Sequence, residues 1–179
     1  MDYVIQLIGK TIAIGEEQSG TKHLSKIILN DNGINSENST IVNYSTSQAK
    51  DKLIKGEIDA MFIVSSAGSK NVQELLENPN VNVLSIKRAK AYSRKYSYLE
   101  ALNLHEGTID LYKNLPDEDI KLLSTTANLV VNKNIPEELV RIFMKKVKEV
   151  HNSKTLFASD NQFPNLLNTK LTINKDAKK

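Results

Sequence analysis

Between residues 11 and 86 the sequence alternates short apolar runs with segments whose apolar residues recur at helical spacing. No other feature limits the possible folds as much. Residues 11–14 form an apolar run that ends at Gly15, and residues 19–29 place Leu24, Ile27 and Ile28 on one helical face. Asn30 to Gly33 supplies a helix stop. Residues 40–44 are a second strand, and Ser45, Thr46 and Ser47 offer a cap for a helix with Ala49, Leu53 and Ile54 on one side. Residues 58–64 are a third strand, Val72, Leu75 and Leu76 mark a third helix, and residues 81–86 are a fourth strand. This β-α-β-α-β-α-β order predicts a parallel sheet with flanking helices, an α/β class fold. Right-handed crossovers put the loops after the strands on one sheet edge, and ligands of open α/β sheets bind there. Two loops are thereby nominated, residues 15–21 and residues 65–68.

The rest of the chain is less regular. Residues 87–95 are basic and helical in pattern, residues 114–117 read as a turn, and residues 120–131 as extended. Pro136 opens a helix to about His151, with Leu139, Ile142, Phe143, Val147 and Val150 on one stripe. The last residues are rich in Asn, Ser, Thr and Lys and read as loop and basic tail.

Composition removes several function classes. Of 179 residues, 40% are apolar and 25% charged, enough to build a core. The longest apolar run, residues 60–64, falls far short of the ~20 residues of a spanning helix. The first residues carry no secretory-signal pattern. With no cysteine there are no disulfides, thiol nucleophiles or thiolate metal sites. His23, His105 and His151 lie far apart and lack metal-ligand spacing, so no metal and no cofactor is expected. A net charge of +3 gives no reason to expect nucleic acid, although Lys87 to Tyr96 mixes cations with tyrosines. There is no G-x-S-x-G elbow, and Asp117, Glu118 and Asp119 read as a turn, not as an acid/base pair. No catalytic residue is assigned, and the chain is read as a non-enzyme.

The loop Gly15-Glu16-Glu17-Gln18-Ser19-Gly20-Thr21-Lys22 carries the main signal, because a strand enters it and a helix leaves it. Free amides at the helix start, with the Ser19 and Thr21 hydroxyls, make a site for a carboxylate or phosphate. Plain capping by Ser19 or Thr21 uses the same geometry, so both readings stand. The loop nearly matches a nucleotide-binding P-loop, but Thr21 precedes Lys22, inverting the order, and Glu16 and Glu17 would repel phosphates. Asp59 opens its strand instead of closing it, so it is not placed to hold magnesium.

Residues 9–15 followed by Ser19-Gly20-Thr21 resemble the signature of the TAXI solute-binding proteins, receptors of tripartite ATP-independent periplasmic (TRAP) transporters. Residues 49–62, AKDKLIKGEIDAMF, are similar to a second run of that family, and residues 91–99, 114–116 and 125–131 extend the likeness over roughly residues 9–165. The resemblance implies a type 2 periplasmic-binding-protein fold, in which two α/β lobes close on a small organic acid, glutamate-like or dicarboxylic. It carries Ser19, Gly20 and Thr21 to the carboxylate site. Gly15 joins them as the turn, and Ser65, Ser66 and Gly68 join by their position on the same edge.

The resemblance also implies that residues 1–123 are the second lobe. Residues 124–165 would be a crossing strand and helix of an incomplete first lobe, and residues 166–179 a flexible basic tail. The expected partners are the organic acid and either the transporter membrane subunits or the missing first lobe, with an extracytoplasmic location. The alternative is a membrane-associated sensory or interaction module of the same fold without a transport role.

Overall fold

The computed structural model describes residues 3–66, 68–165 and 172–174. Most of the basic tail expected over residues 166–179 therefore lies outside the described residues. The chain groups into two compact units, residues 1–88 with 103–122, and residues 89–102 with 123–179.

The first unit is built on β1 (Thr11–Ala13), flanked by β2 (Thr40–Val42) and β3 (Ala60–Met61) in the order β2-β1-β3, all parallel. Thr11 sits opposite Thr40, and Ile12 lies opposite Ile41 on one side and Ala60 on the other. Ile12, Ala13 and Ile14 are consecutive and fully buried, so the central strand is covered on both faces. The Ala13 side packs with Ala49 and Ile58, joined by Val42, Tyr44, Leu53 and Met61. Ile12 and Ile14 point to the opposite face.

The helices start and stop where their sequence dictates. α1 (Gly20–Asp31) is capped by Ser19, whose Oγ accepts the Lys22 amide at 3.1 Å. Its end is a Schellman motif: the Ile34 amide donates to the Leu29 carbonyl and the Gly33 amide to that of Asn30, both at 3.0 Å. Gly33 takes the left-handed φ of +70° that this motif needs, and Ile34 and Leu29 are both buried. α2 (Thr46–Ile54) begins with a capping box between Ser45 and Gln48 and ends with the same pair of bonds, from Gly56 to Leu53 and from Glu57 to Lys52. α3 (Lys70–Leu76) is capped by Ser69. The Lys50 ammonium on α2 pairs with the Glu74 carboxylate on α3.

The parallel α/β sheet with flanking helices is observed, with three strands instead of four. Residues 81–86 form no strand. The Ile86 amide donates to the Lys121 carbonyl at 2.7 Å, and the Ser85 Oγ accepts the Lys121 amide at 3.1 Å. These two bonds tie the segment to Lys121 and not to the parallel sheet.

After α4 (Ala89–Lys95), β4 (Leu99–Leu104) and β5 (Ile120–Thr125) pair as a separate two-stranded sheet. The chain passes from one unit to the other within each of these strands, at Leu102–Asn103 and at Leu122–Leu123. β4 has no counterpart in the sequence expectations, and the extended reading of residues 120–131 holds as strand only to Thr125.

In the second unit α5 (Glu137–His151) follows Pro136, which stands at the cap position one residue before the first turn. Val140 is its buried residue. Leu139, Ile142, Phe143 and Val150 of the predicted stripe are 45–69% exposed.

Candidate functional site at the carboxyl edge of the sheet

β1 ends at Ala13, and the chain turns through Gly15 into the loop before α1. Gly15 has φ +97°, and a Cβ there would stand 3.0 Å from both Ser19 Oγ and Thr21 Cβ. The absent side chain is thus what lets the loop close over the helix start. Gln18 also takes a left-handed conformation, φ +61°. Ser19 Oγ donates to the Glu16 carbonyl at 2.8 Å while accepting the Lys22 amide. Its hydroxyl is therefore committed to capping, which separates its role from that of Thr21.

Thr21 is half-buried, and its hydroxyl has no hydrogen-bond partner among the described residues. Its carbonyl accepts Ser25 Oγ at 2.7 Å, and Ser25 is buried beneath it. The amides of Gly20 and Thr21 occupy the first turn of α1, where no intrahelical acceptor exists. One hydroxyl and two amides thus stand at the positive end of a helix of 12 residues. That is donor chemistry for a carboxylate.

The two flanking acids behave differently. Glu17 pairs with the Lys22 ammonium, and this hydrogen bond, followed by the lysine charge, holds the Glu17 carboxyl below its ordinary range. Lys22, the cation that a terminal-phosphate reading would need free, is therefore engaged inside the chain. Asp59 stands at the amino end of β3, where its carboxylate accepts the Thr11 amide at 2.8 Å and lies 3.5 Å from the Lys10 ammonium. It closes the strand pair at the edge opposite the loop.

Ser65, Ser66 and Gly68 follow β3, the immediate neighbour of β1, and all three are exposed. The Ser66 carbonyl accepts the Ser69 amide at 3.1 Å, which leads into the α3 cap. Among the described residues no hydrogen bond joins this loop to residues 15–21. The order β2-β1-β3 reverses direction at β1, so both loops leave the carboxyl ends of the strands at the topological switch point.

The other candidates settle into local roles. Among the described residues there is no group of three His, Asp or Glu side chains able to hold a metal ion. His105 Nδ1 lies 3.3 Å from the Asp119 carboxylate, which also accepts the Glu106 amide at 2.9 Å and an amide hydrogen of Asn103 at 2.8 Å. The backbone bond is the first cause of the lowered Asp119 pKa, and Asn103 the second. In the basic stretch, Lys87 and Arg88 lie over the Tyr3 ring at 5.8 and 5.3 Å, and Lys95 over Tyr96 at 5.1 Å. Among the described residues no helix is long and apolar enough to cross a membrane.

A concavity opens beside the loop. It has a volume of about 350 Å³ and runs along α1, with Ile14, Leu29, Ile34 and Ile41 as its apolar lining.

A family model described as NMT1-like family matches residues 2–171. No curated protein matches the sequence. The matched family is associated with extracytoplasmic solute-binding proteins.

Proposed function

Because the chain belongs to the NMT1-like family, we propose that it is a non-enzymatic solute receptor of the TAXI type, serving a TRAP transporter. Its ligand would be a small carboxylate, glutamate-like or dicarboxylic. The observation that carries this reading is the start of α1, where the Thr21 hydroxyl and the amides of Gly20 and Thr21 stand without partners among the described residues, at the sheet's carboxyl edge.

In this mechanism the ligand carboxylate accepts from Thr21 Oγ1 and from the amides of Gly20 and Thr21. Gly15 gives it close approach, and Ser19 keeps the helix start rigid. Ser65, Ser66 and Gly68 on the neighbouring loop meet the other end of the ligand. Residues 1–123 act as one lobe, and residues 124–165 as the strand and helix that return toward the other. Passage of the chain between compact units at Leu122–Leu123 falls beside that boundary, whereas residues 89–102 group with the second unit instead of the first. The remaining partner is either the transporter membrane subunits or a first lobe, at an extracytoplasmic location.

Titration calorimetry with L-glutamate and with succinate tests the reading on wild type, Thr21→Ala and Thr21→Val. The valine variant keeps the methyl packing on Gly15 and removes only the hydroxyl. A hydrogen bond to a charged group contributes about 1.5–3 kcal/mol, so affinity should fall roughly 10–100-fold in both variants without unfolding. Unchanged affinity in Thr21→Val, or no binding of either acid to wild type at millimolar levels, would remove the assignment.

A further inference from the structure

The groove along α1 plays no part in the carboxylate site described above. Its rim is polar: Lys22, Lys26, Asn30, Asn35, Ser36 and Asn43. Among the described residues no carboxylate lines it, in a chain with 21 acidic residues. Lys22, Lys26 and Asn30 are spaced four apart on one stripe of α1. Lys22 is neutralised by Glu17, whereas the Lys26 ammonium has no ion-pair partner among the described residues. An anion in the groove would give the Lys26 ammonium a close partner.

The facing rim is already built. The Asn35 carbonyl oxygen Oδ1 accepts the Glu37 amide at 2.8 Å, and the Asn35 amide donates to Asn38 Oδ1 at 3.0 Å. Asn38 Nδ2 donates in turn to the Gly33 carbonyl at 2.8 Å. Buried Ile34 pins this loop to the body. A rim held by its own bonds loses little freedom when a ligand arrives.

The side chains of Asn30, Ser36 and Asn43 make no hydrogen bond to the protein among the described residues. Each can donate and accept, which is the complement of a hydroxyl group. Ile14, Leu29 and Ile34 on the floor are only 1–2% exposed and Ile41 is half-buried, so a small apolar patch lies beneath the polar rim. The volume lies at the small end of ligand cavities and suits a six-carbon molecule.

We propose that this groove binds a polyhydroxylated carboxylate of the sugar-acid class. Its carboxylate sits on Lys26 and its hydroxyls on Asn30, Ser36 and Asn43. The site shares no ligand-contacting residue with the Thr21 site, so either can fail alone.

Calorimetry on the whole chain with D-gluconate as probe tests the proposal. Sorbitol serves as the uncharged analogue and propionate as the carboxylate without hydroxyls. Gluconate should bind, with sorbitol and propionate at least roughly tenfold weaker. Lys26→Gln should weaken gluconate roughly tenfold or more, and Thr21→Val should leave it unchanged. Lys26 is exposed, so Lys26→Gln should retain the wild-type circular dichroism and melting temperature. Three results would each overturn the proposal: no gluconate binding up to ~10 mM, unchanged affinity in Lys26→Gln, or sorbitol binding as tightly as gluconate. Loss of gluconate binding in Thr21→Val but not in Lys26→Gln would overturn it too, by moving gluconate to the other site.

Discussion

Gly15→Ala tests both the conformation of the β1–α1 loop and the role given to it. The backbone at Gly15 has φ +97°, beyond the narrow left-handed region near +50 to +70° open to L-residues. Forcing alanine there costs about 1–3 kcal/mol of strain. The added Cβ would also meet Ser19 Oγ at 3.0 Å, Thr21 Cβ at 3.0 Å and Thr21 Cγ2 at 3.1 Å. Neither neighbour gives way easily: Ser19 is held by two hydrogen bonds, and Thr21 is β-branched in the first turn of α1. If the loop shifts and the cap is lost, a further ~1 kcal/mol goes with it. The total is about 2–4 kcal/mol. For a chain of this size each kcal/mol lowers the melting temperature by about 2–4 °C.

Two other glycines separate the contributions. Gly33→Ala meets nothing within 4 Å but keeps a φ of +70°, so it reads backbone strain alone, about 1–2 kcal/mol. Gly20→Ala meets nothing within 4 Å and has no left-handed backbone, so it should lie within about 0.5 kcal/mol of wild type. Urea unfolding followed by far-ultraviolet circular dichroism measures all three, with an unchanged m-value as the check that only stability moved. Gly15→Ala should be the most destabilised and Gly20→Ala the least. If Gly15→Ala unfolds with Gly20→Ala, the close approach of Gly15 to Ser19 and Thr21 is wrong, and the loop geometry behind the carboxylate site falls with it.

Two further outcomes follow from single contacts. The Glu17 carboxyl should titrate below the ordinary glutamate range by carbon NMR and move upward in Lys22→Gln, since the Lys22 hydrogen bond and charge are what lower it. A depressed folded-state pKa means that this pair's contribution is present above the unfolded-state pKa and fades as pH falls through the folded one; a Glu17 titration that ignores Lys22→Gln would contradict the pairing. On α5, Val140→Ala should cost about 1–3 kcal/mol, because Val140 is 3% exposed, whereas Ile142→Ser, at a position 59% exposed, should cost under about 1 kcal/mol. Equal losses in chemical denaturation would show that Ile142 is covered in solution.

What could be read in advance was what nearby residues decide. Ser19 and Ser45 cap the helices expected of them, and Gly33 and Gly56 end them, because caps and left-handed stops depend on side chains a few positions apart. The carboxyl-edge loops were equally accessible, since strand order and crossover handedness place them. The expected strand at residues 81–86 failed for a non-local reason. Its apolar alternation marks an extended segment, but only a free neighbouring edge makes a strand, and its bonds go to Lys121. β4 was missed for the converse reason: Leu99-Glu100-Ala101-Leu102 is good helix-forming sequence, and its pairing with β5 overrides that preference. The Glu17–Lys22 pair was also beyond sequence reading, because it spans the cap and passes a left-handed turn at Gln18 that no glycine announces. The groove's rim depends on the fold of residues 33–39 around Ile34, which spacing alone does not reveal.

The brevity of the outer strands of the parallel sheet affects how this protein can meet others. β2 has three residues and β3 two, so neither offers the long row of open amides and carbonyls on which a foreign strand could add. Cross-β stacking needs segments of about six or seven residues, and neither margin supplies one. Recruitment to this sheet must therefore proceed through side chains and loop ends, the parts of the surface where substitution can retune a partner without disturbing the hydrogen-bonded frame.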